Sequence, residues 1–225
     1  MNQPIHERFD NRNIYTAYGV TIAMREWICG GLPRNPDVIA AWVKSRTGHD
    51  DDITATQTAE AIEALQERYT EACWNTFPGD DRGLYIWSRQ IKAMLRESAT
   101  MLGIIKKKRG SKQVIQHGFE IKGRDHAQRI YLGVTQPTGY VDKTIHVMTP
   151  QGPRDALVRV DYVERAKITF DVWIFKTHAS ETRHIGEAEL VDMLRFAQEN
   201  GLGADRSQGH GKFDVVEFTT HPTQM

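Results

Sequence analysis

Cysteine is scarce in this chain. Cys29 and Cys73 are the only two in 225 residues, and they lack metal-ligand spacing and suggest no disulfide framework. Also missing is any run approaching the roughly 20 apolar residues of a membrane span. The first residues, Met-Asn-Gln-Pro-Ile-His-Glu-Arg, carry no apolar core of a signal peptide. Both absences lead to the expectation of a cytoplasmic protein. Net charge is lacking too, since 29 Lys and Arg balance 29 Asp and Glu. No global field therefore draws the molecule toward nucleic acid or membrane. There is no internal repeat and no low-complexity segment. What is present is an ordinary globular composition, 40% hydrophobic and 26% charged. The length suits one large domain, or one domain with a sizeable insertion.

Several catalytic signatures are absent as well. Nine histidines form no HExxH motif and no Cys/His pairing, so no metal and no cofactor are expected. No Ser/His/Asp elbow is visible. The most glycine-rich stretch, Asn200 to Phe213, fails as a Walker A loop. Gly211-Lys212 is followed by Phe213, and position 206 is Arg where that motif needs Gly. Gly201-x-Gly203-x-x-Arg206 likewise misses the dinucleotide fingerprint. Both of those motifs run from strand to helix and use the helix N-terminus as an anion site. Here a helix pattern precedes the glycines and a strand pattern follows, which argues against a mononucleotide enzyme.

Periodicity supplies the elements. Tyr18, Val20, Ile22 and Met24 alternate with Gly19, Thr21, Ala23 and Arg25, predicting one long strand over Ile14 to Cys29. A short helical spacing follows Asp37. A clearer helix is expected over about Thr56 to Trp74, with Ile62, Leu65, Tyr69 and Cys73 on one side. Phe77-Pro78-Gly79-Asp80-Asp81 breaks it. A further helix runs from about Leu84 or Ser88 to Leu102. Short strands are expected at Val114 to Ile121 and Arg129 to Val134, and a small hairpin around Thr144 to Met148. Alternation then marks strands at Ala156 to Val163 and Ile168 to Phe175. A helix over Gly186 to Glu199 ends at Asn200-Gly201, a good C-cap, and Phe213 to Phe218 forms the last strand. Leaving out an acidic helical insertion at 36–81, the order is strand, helix, strands, strand, helix, strand. This predicts an α+β, ferredoxin-like or modified RNA-recognition (βαββαβ) fold in one domain over 1–225. A basic loop and an irregular β region would occupy 104–154.

Charge is distributed unevenly within the neutral total. Residues 37–81 hold ten acidic and three basic residues, whereas 82–129 hold twelve basic and three acidic ones. The basic third includes Arg89, Lys92 and Arg96 on the expected helix. It also includes the run Lys106, Lys107, Lys108, Arg109 and Lys112, too charged to pack. Clustered cations of this kind supply the salt-sensitive, sequence-independent part of nucleic-acid affinity. In the glycine stretch, Gly201, Gly203, Gly209 and Gly211 let the backbone visit φ > 0 and approach another chain closely. Between them lie Arg206, Ser207, Gln208, His210 and Lys212, side chains that bond phosphates, sugars and bases. Trp27, Trp42, Trp74, Trp87 and Trp173 read first as core residues. For Trp87 and Trp173 the alternative is to stack a base, as sheet-face aromatics do in RNA-recognition folds.

Two of these stretches resemble one family. Leu84-Tyr85-Ile86-Trp87-Ser88-Arg89-Gln90-Ile91-Lys92-Ala93-Met94-Leu95-Arg96 is similar to the first-helix motif of the RAMP superfamily of CRISPR-associated proteins. That motif reads apolar-Pro-Gly-Ser-Ser-Leu-Lys-Gly-x-Leu-Arg, and the match runs through Ser88, Ile91, Lys92, Leu95 and Arg96. Ile86-Trp87 stands where the family has Pro-Gly, and Ala93 where it has Gly. Gly201 to Gly211 resembles the superfamily's C-terminal glycine-rich loop, and Tyr162-Val163-Glu164-Arg165 leading into Ile168 to Phe175 is also similar. The resemblance covers about half of the chain.

It implies an RNA-binding subunit of a CRISPR-like ribonucleoprotein of antiviral defence, without cofactor. Ser88, Arg89, Lys92 and Arg96 would grip guide RNA together with the glycine loop and the basic run. The partners implied are single-stranded guide-like RNA and other subunits or copies of itself. Two alternatives stay open. One is a metal-independent endoribonuclease on the same fold, with His210 or Asp37 as catalytic residue, because cleavage needs a base for a 2′-hydroxyl and an acid for the leaving oxygen. The other is a protein–protein interaction module that binds no nucleic acid.

Overall fold

The computed structural model describes residues 15–34, 74–104, 117–125, 127–149, 152–176 and 185–221, with backbone pairing alone for 145–149 and 152–156. The acidic segment from 35 to 73, Asp37 included, and the basic run Lys106 to Lys112 lie outside the described residues.

The first strand, β1 (Tyr15–Met24), forms where the alternation predicts it. Tyr18, Val20, Ile22 and Met24 are buried, as the period of two in a half-buried strand requires. It ends earlier than the apolar pattern does. At Met24 the amide N–H bonds the Ala166 carbonyl, and at Arg25 the N–H turns to the Lys212 carbonyl. The chain then starts a separate strand, β2 (Trp27–Cys29), in a different sheet.

After two short strands, β3 (Leu32–Pro33) and β4 (Trp74–Thr76), the hairpin of β5 (Gly79–Asp80) and β6 (Gly83–Trp87) leads into helix α1 (Ser88–Met101). Trp74 opens a strand and does not close a helix. The Gln90 side chain accepts a hydrogen bond from the Trp87 N–H at 2.9 Å, satisfying one donor that the first helical turn would leave free. Ile91, Met94, Leu95, Ser98 and Ala99 are buried at helical spacing.

Then come β7 (Phe119–Lys122), β8 (Arg129–Tyr131), β9 (Gly139–Thr149), β10 (Gly152–Glu164) and β11 (Lys167–Phe175). Helix α2 (Glu187–Asn200) and β12 (Phe213–His221) complete the order. Gly201 caps α2 at φ 82°, donating its N–H to Ala197 O, the left-handed ending that favours glycine.

The main sheet has the order β12-β1-β11-β7, with every neighbour antiparallel. Taken as the four strands of a βαββαβ unit, this is the order 4-1-3-2 with α1 and α2 as the crossover helices. The expected ferredoxin-like α+β fold is therefore the fold observed. One face of the sheet carries Val20, Ile22, Ile168, Phe170 and Val172 into a core shared with Ile91, Leu95, Leu190, Met193 and Leu194 of the helices.

A second sheet is built on β10, which pairs with β9 from Gly152↔Thr149 to Tyr162↔Gly139. This hairpin is far longer than the Thr144 to Met148 expectation. Against the remaining edge of β10 lie β4 (Arg159↔Trp74) and β2 (Tyr162↔Cys29). A third sheet has the order β5-β6-β8. Among the described residues, no helix is long and apolar enough to cross a membrane.

Candidate nucleic-acid interface

The face of α1 opposite its buried stripe is cationic. Arg89, Lys92 and Arg96 are spaced three and four residues apart, so they share one side of the helix. Arg89 and Arg96 are exposed and Lys92 is half-buried. Among the described residues, none of the three has a carboxylate within ion-pairing distance. Arg89 lies over the Trp87 ring, 5.1 Å from its centroid, and the Lys92 ammonium sits 5.8 Å from the Phe119 ring. Burial holds the Lys92 amine below its ordinary value, and Arg96 four residues on adds to this, against the pull of Glu120. An ammonium so placed gains more than a solvated one from an incoming anion, because its own hydration is already reduced.

Ser88, Arg89 and Lys92 open onto a cleft of about 370 Å³ whose far wall is Glu120, Ile121, Lys122, Ala127 and Gln128. Lys122 and Gln128 carried no periodic or motif signal in the sequence. Strand pairing brings β7 to this edge, and the Ser88 N–H bonds the Gln128 carbonyl at 2.8 Å.

The glycine loop sits beside the same helix. A groove of about 160 Å³ is lined by Gln90, Ala93 and Met94 of α1 and by Gly201, Leu202, Gly203 and Arg206. The predicted pairing of helix and loop is thus present in space. The loop's chemistry, however, is largely turned inward. Leu202 N–H bonds Gly211 O at 2.8 Å, Gly211 N–H bonds Trp27 O at 3.1 Å, and Ala204 N–H bonds Cys29 O at 3.1 Å. A Cβ on Gly201 would meet His210 O at 2.7 Å, and one on Gly203 would meet Ile28 Cγ1 at 2.7 Å. A Cβ on Gly211 would overlap the Leu202 carbonyl. These glycines let the loop close on itself and on β2. Gly209, with nothing near its missing Cβ, sits at an exposed tip with Ser207 and Gln208.

The loop's cations are also engaged. Arg206 donates to Glu97 of α1 at 2.7 Å, and that bond holds the Glu97 carboxyl below its usual range. Lys212 lies 3.5 Å from Glu199, which also takes Arg25 at 2.7 Å. Lys143 of β9 pairs with Asp205, itself in the left-handed region at φ 58°. Burial, chiefly, pushes the adjacent Cys29 thiol up to about 11, which keeps it a neutral, inert core group at neutral pH.

His210 is positioned by Trp27, whose indole N–H donates to Nδ1 at 2.6 Å. The neutral ring therefore carries its proton on Nε2. No other titratable side chain is bonded to His210 among the described residues, and Asp37 falls outside them. No group of three or more His, Cys, Asp or Glu fit to hold a metal ion occurs among the described residues.

Of the two tryptophans marked for stacking, Trp87 caps α1 and meets Tyr85 edge-on at 5.2 Å. Trp173 stands on the sheet's open face with Tyr15 at 5.7 Å and Lys122 at 4.1 Å. Elsewhere that face is polar and partly acidic, with Thr21, Thr169, Asp171 and Glu217 around one hollow.

No family model matches this sequence, and no curated protein matches it. Among solved structures, a chain of the type III-B Cmr-beta complex bound to cognate target RNA aligns with 98% of this chain and 67% of its own length. Its identity is 13% and its TM-score 0.47. A chain of a type IV-B CRISPR complex aligns with 93% of this chain and 92% of its own, at 10% identity and a TM-score of 0.41. At such scores the topology stands on its strand order.

Proposed function

We propose that this chain is an RNA-binding, RAMP-like subunit of a CRISPR-type ribonucleoprotein, and that it grips the backbone of single-stranded, guide-like RNA. The observation that carries the reading is the trio Arg89, Lys92 and Arg96 on one side of α1, with no carboxylate at ion-pairing distance among the described residues, of which Arg89 and Lys92 line a polar cleft. A cation with no internal counter-ion is the group that gains from a phosphate and releases counter-ions when it binds one.

Ser88, Lys122 and Gln128 supply further donors along the same edge. The loop's exposed Ser207, Gln208 and Gly209 meet the strand from the other side of α1, and Arg206 and Lys212 join when a phosphate displaces their carboxylates. Lys106, Lys107, Lys108, Arg109 and Lys112 extend the basic surface in sequence. Neighbouring subunits or further copies of the chain are its protein partners.

Filter binding of single-stranded RNA across a salt series tests the proposal. Affinity should fall steeply with salt, and the Lys92→Ala/Arg96→Ala double variant should weaken binding and flatten the slope. Binding that ignores salt, or that the double variant leaves unchanged, overturns it.

A further inference from the structure

Away from α1, four side chains from four segments form a chain of cation–ring contacts. The Arg34 guanidinium lies 4.0 Å from the Trp74 ring centroid. Arg159 lies 5.0 Å from the same ring and 3.9 Å from that of Tyr140. The two rings also meet each other directly, with centroids 6.0 Å apart and planes at 61°, so Arg159 lies against both rings and is not sandwiched between parallel planes.

The cluster is fixed from behind. Trp74 Nε1–H donates to Asp161 Oδ1 at 2.7 Å, and the Thr76 hydroxyl donates to Oδ2 at 2.5 Å. Asp161 itself is only 5% exposed, so the indole is anchored to the interior. The Arg159 fork is held in plane by Asp142, with Nε to Oδ1 at 2.7 Å and Nη2 to Oδ2 at 2.9 Å. That bidentate pair also neutralises Arg159, so at the Tyr140 end the cluster offers an aromatic surface more than charge. At its outer end the Tyr140 ring, touched by Arg159 and Trp74, is 52% exposed.

The cluster also continues the cationic track. Arg89 borders the cleft with Lys92 and a second hollow that includes Gly31, Leu32 and Pro78. Leu32 is two residues from Arg34, whose N–H bonds the Trp74 carbonyl at 2.6 Å. A strand whose phosphates lie on α1 would thus reach the Arg34–Trp74 end without leaving the surface.

We infer that this cluster is a base-stacking platform and that Tyr140 receives an unpaired nucleobase of the bound RNA, an inference that rests on the RNA-binding reading. Rings and guanidinium planes are the surfaces on which single-stranded bases stack, whatever their identity. A rigid ring loses little conformational freedom when it does so. Because Tyr140 adds no charge, its contribution is separable from that of Lys92 and Arg96.

The test compares wild type, Tyr140→Ala, Tyr140→Phe and Lys92→Ala/Arg96→Ala on two probes. One is a mixed-sequence single-stranded RNA, the other an abasic ribose-phosphate strand of equal length. Tyr140→Ala should weaken binding of the base-bearing RNA by roughly five- to a hundredfold, with an unchanged salt slope. It should bind the abasic strand as wild type does, and Tyr140→Phe should match wild type on both. Thermal melting of each variant separates lost folding from lost stacking. If wild type binds RNA with salt dependence and Tyr140→Ala binds it equally well, the platform is overturned while the RNA reading stands. The cluster is then a brace for the hairpin or a protein contact. If wild type binds neither probe, both fall.

Discussion

The cationic face of α1 and the glycine loop, which borders another side of the same helix, are both rich in cations and polar groups. They differ in what those groups are doing. On α1, Arg89, Lys92 and Arg96 have no carboxylate at ion-pairing distance among the described residues, and burial disfavours the charged form of Lys92. In the loop, Arg206 and Lys212 are paired with Glu97 and Glu199. Three of the four glycines there are used to let backbone meet backbone. One surface holds unspent charge; the other is mainly scaffolding with an exposed tip. A glycine-rich, basic sequence thus need not be the part that binds most strongly.

The sharpest way to break this contrast is through the loop's architecture. Gly211→Ala forces a side chain onto the Leu202 carbonyl at φ 81°, and should destabilise the fold by about 2–4 kcal/mol. Gly209→Ala, at φ 90° but with open space around it, should cost only about 1 kcal/mol. Urea unfolding of both variants measures the difference, and equal effects would mean that the loop is not closed on itself as described.

Next in size is function. Lys92→Ala/Arg96→Ala should lower RNA affinity about tenfold or more and reduce the log–log salt slope by roughly 1.4, two phosphates at 0.7 each for single strands. Arg206→Ala/Lys212→Ala should do less, since those cations must first leave their carboxylates. A reversed order would overturn the comparison. Lys92→Met should separate binding from stability. The depressed amine costs stability while protonated, and that cost is relieved as pH rises through its folded value, so at neutral pH the variant should be as stable as wild type or slightly more so.

The smallest effect concerns the link between the two regions. Glu97 is held below its ordinary 4.5 by Arg206. Its contribution to stability is therefore fully present above that value and lost as pH falls through the lower, folded-state value. Thermal melts between neutral and strongly acidic pH should show wild type losing an advantage over Glu97→Gln in that window. Parallel curves would mean that the pair is solvent-screened and carries nothing.

What the sequence revealed and concealed follows the range of the interactions. The β1 alternation, the α2 ending at Gly201 and the βαββαβ order are local patterns, and each appears where the residues predict it. The separation of Trp27–Cys29 from β1 was not legible, because it depends on pairing with Tyr162 to Glu164 far along the chain. Likewise the Arg206–Glu97 bond joins residues 109 positions apart, so the loop looked freer in sequence than it is. The cluster of Arg34, Trp74, Arg159 and Tyr140 is not legible in the sequence for the same reason: its members lie far apart along the chain, and each, taken alone, is an ordinary residue.

The backbone ladder that ties the loop to itself and to β2 has a consequence for how this sequence can change. Leu202 pairs with Gly211, Ala204 with Cys29, and Gly211 with Trp27. These partners fix the number of residues between 202 and 211. The Ser207 and Gln208 side chains bond nothing else among the described residues, so folding alone leaves their identity open, whereas Gly209 is held at φ 90°. An insertion or deletion would put a carbonyl where a donor should be. Relatives of this chain should therefore vary in letters at the loop tip while keeping its length.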